Sequence, residues 1–464
     1  MIRNLFIVFM LLGITLTHGQ EKIITGTVSN ESGGLPGVSV IVKGTTNGTE
    51  TDFDGIYSIK ASLGDILVFT FLGYKTVNKI IGTSLVINLK MIEDDTVLDE
   101  IIVTSLGLKR EKYALGYAIS GIKLKGSISI KSFTPKSGQL TAGEINDNEK
   151  WLEWKKLTDD QEFLSVKNDW QLNIDNRIEV KVVDNNNDPI VNAGITLSNK
   201  KGIKMHVRTD IFGKAVLFRD SEDAYTIQAV YKNQIQGLNV LKNHKLLNFV
   251  FLENEKLNDI DVMFTIDATG SMGDEISYLK SEIENIITRV DNSILKKRVG
   301  LTFYRDHGDK YLVREFDFTT NIPNIKENLS KQSAGGGGDY EEAVEEALKT
   351  SLSMSWSENA KARLLFLLLD APPHLNQENV LVIKSQIKKA QKKGIKIIPI
   401  VASGANKTVE FLMRFFSVST NGTYVFLTDD SGIGNPHLKP TSKDFKVEKL
   451  NDLIVRLIEK YSGV

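Results

Sequence analysis

The sequence predicts a multidomain chain in which two β-sandwiches precede an α/β doubly wound, mostly parallel sheet. Three observations predict it. The chain has 464 residues, more than one hydrophobic core organises. A period-two alternation of apolar and polar residues, broken by Gly and Asp turns, occurs twice, from Lys22 to Met91 and from Arg177 to Leu252. Beyond Lys256 the pattern changes to apolar strands alternating with helix-spaced apolar residues.

Composition excludes several function classes. With 57 basic and 58 acidic side chains the net charge is −1, so no global field draws in polyanions, and nucleic acid is not an expected partner. The chain has no cysteine, which excludes disulfides, thiolate metal sites, cysteine nucleophiles and a lipoprotein anchor and leaves oxygen ligands as the route to a metal. At the front, Arg3, the apolar run Leu5 to Leu16 and Thr17-His18-Gly19 read as a cleaved export signal over residues 1–19. No later stretch is long and apolar enough to cross a bilayer. The mature protein is therefore expected in the periplasm, at the outer membrane or on the cell surface.

Residues 20–92 form the first expected sandwich, with strands near Ile24 to Val28, Val38 to Val42, Ile56 to Ile59, Ile66 to Phe71 and Leu85 to Leu89. Gly33-Gly34, Asn47-Gly48 and Asp54-Gly55 supply its turns. Residues 177–254 repeat the pattern, and Thr51-Asp52-Phe53-Asp54-Gly55 matches Thr209-Asp210-Ile211-Phe212-Gly213. Asp closes such a turn by accepting backbone N–H bonds and Gly supplies positive φ, so the element is expected to be structural.

Both segments resemble the carboxypeptidase-regulatory-like domain, a seven-stranded sandwich of exported proteins. The first carries Gly26-Thr27-Val28, Pro36-Gly37-Val38, Gly44-Thr45 and Thr51-Asp52 in that family's order. Residues 93–176 are expected to be a receptor-like leader and linker. Leu98 to Thr104, Leu106 to Lys112 and Ala114 to Tyr117 are similar to the TonB-box region and plug entrance of outer-membrane nutrient receptors, although no series of barrel strands follows. Trp151, Trp154 and Trp170 suggest a short helical connector whose aromatics pack between domains.

The last domain is expected over 257–464. Strands read at Ile260 to Ile266, Val299 to Tyr304, Leu312 to Phe318, Leu364 to Leu369, Ile395 to Val401 and Tyr424 to Leu427. Helices read at Ile276 to Val290, Ile325 to Leu329, Ala343 to Leu352, Val382 to Lys393 and Phe445 to Lys460. In a doubly wound sheet ligands sit beyond the carboxyl ends of the strands. There the first strand ends Asp267-Ala268-Thr269-Gly270-Ser271 and the central one ends Asp370-Ala371-Pro372-Pro373-His374. Asp, Thr and Ser also cap helices, yet three oxygen side chains at alternate positions exceed one cap's need.

This pattern resembles the von Willebrand factor A (vWA) family, a Rossmann-like fold whose metal-ion-dependent adhesion site uses Asp-x-Ser/Thr-x-Ser and a second Asp. The resemblance implies Asp267, Thr269, Ser271 and Asp370 as ligands of Mg²⁺, with Ca²⁺ or Mn²⁺ as the other candidates. The family's loop threonine is missing from Ala334 to Glu342. A vWA subgroup with Gly-Gly-Gly-Asp at this place makes Asp339 a ligand or a partner of the ligands. Asp306 and Asp309, after Tyr304, are expected to build a turn that frames the crevice. His307 and His374 lack His-Glu-x-x-His spacing, and His374 beside Pro373 reads as structural.

The expected function is recognition rather than catalysis: a cell-envelope binding protein whose cation grips an acidic residue of a protein partner. The alternatives are an accessory of TonB-dependent transport, tethered to outer-membrane or TonB-system components, and a metal-assisted hydrolase.

Overall fold

The computed structural model describes residues 22–92 and 137–463, apart from 31–32, 36–37, 44, 46, 53, 72–73, 158–159, 173, 175, 220–223, 241–244, 274, 295 and 443. The export signal at 1–19 and the TonB-box-like stretch at 98–117 lie outside the described residues. The chain divides into two compact units, Met1–Thr134 and Pro135–Val464.

In the first unit, strands β1 (Lys22–Ser29), β2 (Ser39–Val42), β3 (Gly48–Glu50), β4 (Ile56–Ala61), β5 (Ile66–Thr70), β6 (Val77–Ile80) and β7 (Leu89–Lys90) make two sheets, ordered β4-β1-β7 and β3-β2-β5-β6. Alternation puts Ile24 and Val28 of one sheet against Val40, Leu67 and Phe69 of the other, as a sandwich requires. Tyr57 meets Phe69 edge to face at 5.4 Å.

The second unit opens with β8 (Thr141–Ile145) and helices α1 (Trp151–Leu157) and α2 (Gln161–Asp169). Strands β9 (Arg177–Asp184), β10 (Gly194–Asn199), β11 (Gly202–Arg208), β12 (Lys214–Phe218), β13 (Tyr225–Tyr231), β14 (Gln234–Val240) and β15 (Leu246–Phe251) follow. Their sheets, β12-β9-β15 and β11-β10-β13-β14, reproduce the first sandwich strand for strand. The Thr-Asp-x-x-Gly turn is reproduced bond for bond. The Thr51 hydroxyl accepts from Val38 N at 2.8 Å and donates to Leu35 O at 2.6 Å. The Thr209 hydroxyl accepts from Ala193 N at 2.9 Å and donates to Ile190 O at 2.7 Å. Asp52 closes its turn onto Asp54 N and Ile56 N, as Asp210 does onto Phe212 N and Lys214 N. Gly55 and Gly213 sit at φ 76° and 68°, where a Cβ would strike the carbonyl of Val28 or Val182.

The rest of the unit is the doubly wound sheet: β16 (Asp259–Asp267), α3 (Ile276–Ser293), β17 (Lys297–Tyr304), β18 (Val313–Thr319), α4 (Ile322–Ser330), α5 (Val344–Ser351), β19 (Ala360–Leu369), α6 (Gln377–Lys393), β20 (Ile395–Val401), α7 (Lys407–Ser419), β21 (Tyr424–Leu427), β22 (Val447–Lys449) and α8 (Leu450–Ser462). The eight-stranded order is β18-β17-β16-β19-β20-β21-β8-β22, parallel from β17 to β21. Alternate residues of β16 serve opposite cores. Val262, Phe264 and Ile266 join α3 and α8 on one face, while Met263 joins α5, α6 and α7 on the other.

Within residues 93–176, expected to be a leader and linker, Thr141–Ile145 supply this sheet with β8, antiparallel between β21 and β22. The aromatics of the connector do pack between domains. Trp154 meets Phe415 of α7 edge to face at 5.3 Å, and Trp151 lies 6.1 Å from Phe218 of the second sandwich. Just after β8, the carboxylate of Asp147 takes two bonds from the wholly buried guanidinium of Arg414, at 2.9 and 2.6 Å, and Glu410 takes a third at 3.0 Å. Removing Asp147 takes two bonds from the buried Arg414 guanidinium and leaves Glu410 its remaining carboxylate, so Asp147→Ala is expected to cost about 3 kcal/mol. Urea denaturation followed by circular dichroism checks this, and a loss below about 1 kcal/mol, the scale of an exposed pair, contradicts it.

Candidate metal centre

Three neighbouring parallel strands end in acids. The chain leaves β16 at Asp267, β19 at Asp370 and β17, two residues on, at Asp306; the register sets Asp267 opposite Tyr304 and Ile266 opposite Leu368. Burial on both faces makes the three strands largely apolar toward their carboxyl ends, interrupted by the buried Thr265 and Thr302, and carboxylates follow where the sheet stops.

Asp267 is 0% exposed. Its Oδ1 accepts from Thr269 N at 2.9 Å and from the Thr269 hydroxyl at 2.7 Å, which folds the loop back over the strand end. The Thr269 and Ser271 hydroxyls lie 3.1 Å apart, and Ser271 is near enough to the Asp370 carboxyl to pull on its ionisation. The structure thus brings together the four residues Asp267, Thr269, Ser271 and Asp370. Asp267 Oδ2 and Asp370 Oδ1 are buried and have no partner among the described residues. Ser271 is exposed, so the site opens to solvent on that side. Residues Gly270–Gly273 form a 3₁₀ turn, and α3 starts only at Ile276, so the three oxygen side chains do not cap that helix.

The Gly-rich loop lies directly on this one. Gly335 N donates to Ala268 O and Gly270 N to Gly336 O, both at 3.0 Å. Gly336 and Gly337 hold φ of 86° and 78°, and a Cβ on Gly336 would come within 2.3 Å of the Asp309 carboxylate. The turn returns the chain so that Glu342 N donates to Pro372 O at 3.0 Å, which sets the Glu342 side chain into the site. Glu342 is 2% exposed and its Oε2 is unpartnered among the described residues. Sequence reasoning missed this residue, because an acid at a helix start reads as a favourable end charge. Only the missing loop threonine hinted that another oxygen was needed nearby.

Asp309 has the turn role expected of it: its Oδ2 accepts from Asp306 N at 3.1 Å and from Gly337 N at 2.9 Å. Asp306 Oδ1, by contrast, is buried without a partner. Asp339 is carried on the exposed part of the Gly-rich loop, its Oδ2 3.5 Å from His374 Nε2. A further buried acid, Glu275, is satisfied: it accepts from Ser403 N at 3.2 Å and meets His437 Nε2 at 3.0 Å.

Burial, and after it the charge of Asp370, pushes Asp267 above the usual carboxylate range; Asp370 is raised too, by burial, against the pull of the Ser271 hydroxyl. Burial and then Asp267 push Glu342 up to about 9. The sign follows from linkage. Below pH 4.5 Glu342 is protonated folded or unfolded; from there to about 9 the metal-free fold keeps a proton that the unfolded chain has lost, so stability falls across that window. Glu342→Gln removes this fall. In EDTA its melting temperature is expected to gain on the wild type between pH 5 and pH 9; parallel pH profiles for the two proteins contradict the assignment.

Family comparison matches residues 24–103 to the CarboxypepD_reg-like domain and residues 261–433 to the von Willebrand factor A domain. The chain is 45% identical over 97 residues, 21% of its length, to TonB-dependent receptor P26 of Formosa agariphila, of which the match covers 10%. It is 31% identical over 143 residues, 30% of its length, to TonB-dependent receptor SusC of Bacteroides thetaiotaomicron, of which 14% is covered. Alpha-protein kinase vwkA of Dictyostelium discoideum is 25% identical over 159 residues, 34% of this chain and 25% of the kinase. The chain therefore spans a small part of the curated relatives it matches. Among solved structures, the conserved hypothetical protein BatB from Bacteroides thetaiotaomicron aligns with 44% of this chain and 100% of its own at a TM-score of 0.32 and 17% identity. The chain thus joins a CarboxypepD_reg-like domain to a von Willebrand factor A domain.

Proposed function

We propose that this protein is a cell-envelope binding protein whose vWA domain holds a divalent cation through Asp267, Thr269, Ser271 and Asp370 and offers it to a carboxylate of a protein partner. The observation that carries the reading is the set of unpartnered buried oxygens, Asp267 Oδ2, Asp370 Oδ1 and Glu342 Oε2, beside two hydroxyls at an open crevice. Hard oxygen donors of this kind suit Mg²⁺, with Ca²⁺ and Mn²⁺ as competitors. The residues present fit the ion, with Glu342 in the region where the family's loop threonine is missing. A bound cation supplies charge and an open coordination position. The protein's own residues orient Asp267, through the Thr269 hydroxyl, and bury both aspartates away from bulk water.

The 45% and 31% identities to TonB-dependent receptors favour a place at the outer membrane, next to components of that transport system. In this reading the receptor-like segment around Leu98 to Thr104, outside the described residues, is the tether to a partner at the outer membrane. No described helix is long and apolar enough to cross a membrane.

Calorimetric titration of the full chain with Mg²⁺ alone tests the site. Asp267→Ala is expected to weaken binding by at least about 100-fold, since even outer-shell partners of a metal cost 10 to 100-fold. Retention on an immobilised partner should then require Mg²⁺ and fail both in EDTA and in the variant. EDTA-insensitive retention, or unchanged Mg²⁺ binding in Asp267→Ala, overturns the reading. For the tether, deleting residues 98–104 should move the protein out of the membrane fraction with an unchanged melting temperature; unaltered fractionation contradicts it.

A further inference from the structure

We propose that Asp306, Asp339 and His374 form a second cation site, of nitrogen and oxygen ligands, that takes a divalent transition ion of the Zn²⁺ class. It draws on Asp306 and His374, outside the Asp267 set, and on Asp339, which the structure sets 3.5 Å from His374, and it does not rest on the function proposed above. Each of the three offers a ligand atom, and these atoms lie within 4.8 Å of one another. His374 Nδ1 stands 3.8 Å from Asp306 Oδ1 and His374 Nε2 stands 3.5 Å from Asp339 Oδ2, both beyond hydrogen-bond reach.

A cluster of acids alone would carry little, but Asp306 is no surface acid. It is 7% exposed, its Oδ1 is sealed from solvent and aimed at the imidazole, and both Oδ1 and His374 Nδ1 lack a partner among the described residues. A buried carboxylate oxygen and a buried ring nitrogen left side by side without a hydrogen bond are costly unless something binds both. A proton shared between them needs a shorter contact, whereas an ion bonded to both at roughly 2 Å sits naturally across such a gap.

The ligand types select the ion. Imidazole nitrogen suits Zn²⁺ and its neighbours, and two carboxylates complete a three-ligand set that leaves a position open. The Asp267 site, all oxygen, suits Mg²⁺ instead. The three ligands also come from three different segments: the loop after β17, the Gly-rich loop and the loop after β19. An ion here ties together the same loops that frame the Asp267 crevice, Asp306 being among the charges that act on Glu342.

Titration of the full chain with Zn²⁺ alone, read by calorimetry and by the ring resonances of His374, is the test. One equivalent is expected to bind and to shift those resonances. Asp339→Ala, a change at a side chain 59% exposed that leaves packing intact, and His374→Ala should each weaken Zn²⁺ more than about tenfold. Asp267→Ala should leave Zn²⁺ binding unchanged while removing Mg²⁺. The proposal is overturned by absent Zn²⁺ binding, by binding that survives both Asp339→Ala and His374→Ala, or by loss of Zn²⁺ in Asp267→Ala, which would mean one shared site.

Discussion

Three carboxylates, Asp267, Asp370 and Glu342, are held out of water near one another, each with an oxygen that no described side chain or backbone group satisfies. Two like charges 4 Å apart repel by about 4 kcal/mol at an effective dielectric of 20. A charge-assisted hydrogen bond returns only about 1.5–3 kcal/mol. The two bonds from Thr269 to Asp267 therefore orient that acid without balancing the group. Glu275 shows the alternative nearby: it is equally buried, but Ser403 N and His437 satisfy it, so it behaves as structure.

The sheet makes this arrangement possible. Parallel strands buried on both faces bring every carboxyl end to one rim, and the rim is where the hydrophobic run of each strand gives way to an acid. The Gly-rich loop then needs positive φ at Gly336 and Gly337 to pass over Asp309 and bring Glu342 back under Pro372. On the far side, Arg414 and Asp147 fasten residues 137–150 to α7, and the second sandwich docks through Asp210, whose Oδ2 lies 3.4 Å from Lys396 Nζ and 3.2 Å from Asn421 Nδ2. The same turn aspartate in the first sandwich, Asp52, serves only its own loop among the described bonds.

Much of this was legible in the amino-acid sequence because local pattern and local chemistry agreed. The strand ends at Asp267 and Asp370 follow from apolar runs, and the two sandwiches follow from period-two alternation and matching Thr-Asp-x-x-Gly turns. What escaped depended on distance. β8 is five residues with Gly143 at its centre, and only its pairing with β21 and β22, far along the chain, makes it a strand. α7 is buried on nearly every side, including Glu410 and Arg414, so its charged residues do not mark an outer face as they do on a surface helix. Glu342 and His374 look ordinary in sequence, since the loops that set them beside other acids meet only in the folded chain.

The central claim is that these unbalanced acids hold a cation. Anomalous diffraction from crystals of the full chain soaked in Mn²⁺ addresses it most directly. A peak about 2.0–2.3 Å from oxygens of Ser271 and Asp370, or bridged by water to Asp267 beside Glu342, is the predicted result. Crystals with no peak between Asp267 and Asp370 at saturating Mn²⁺ would contradict the account.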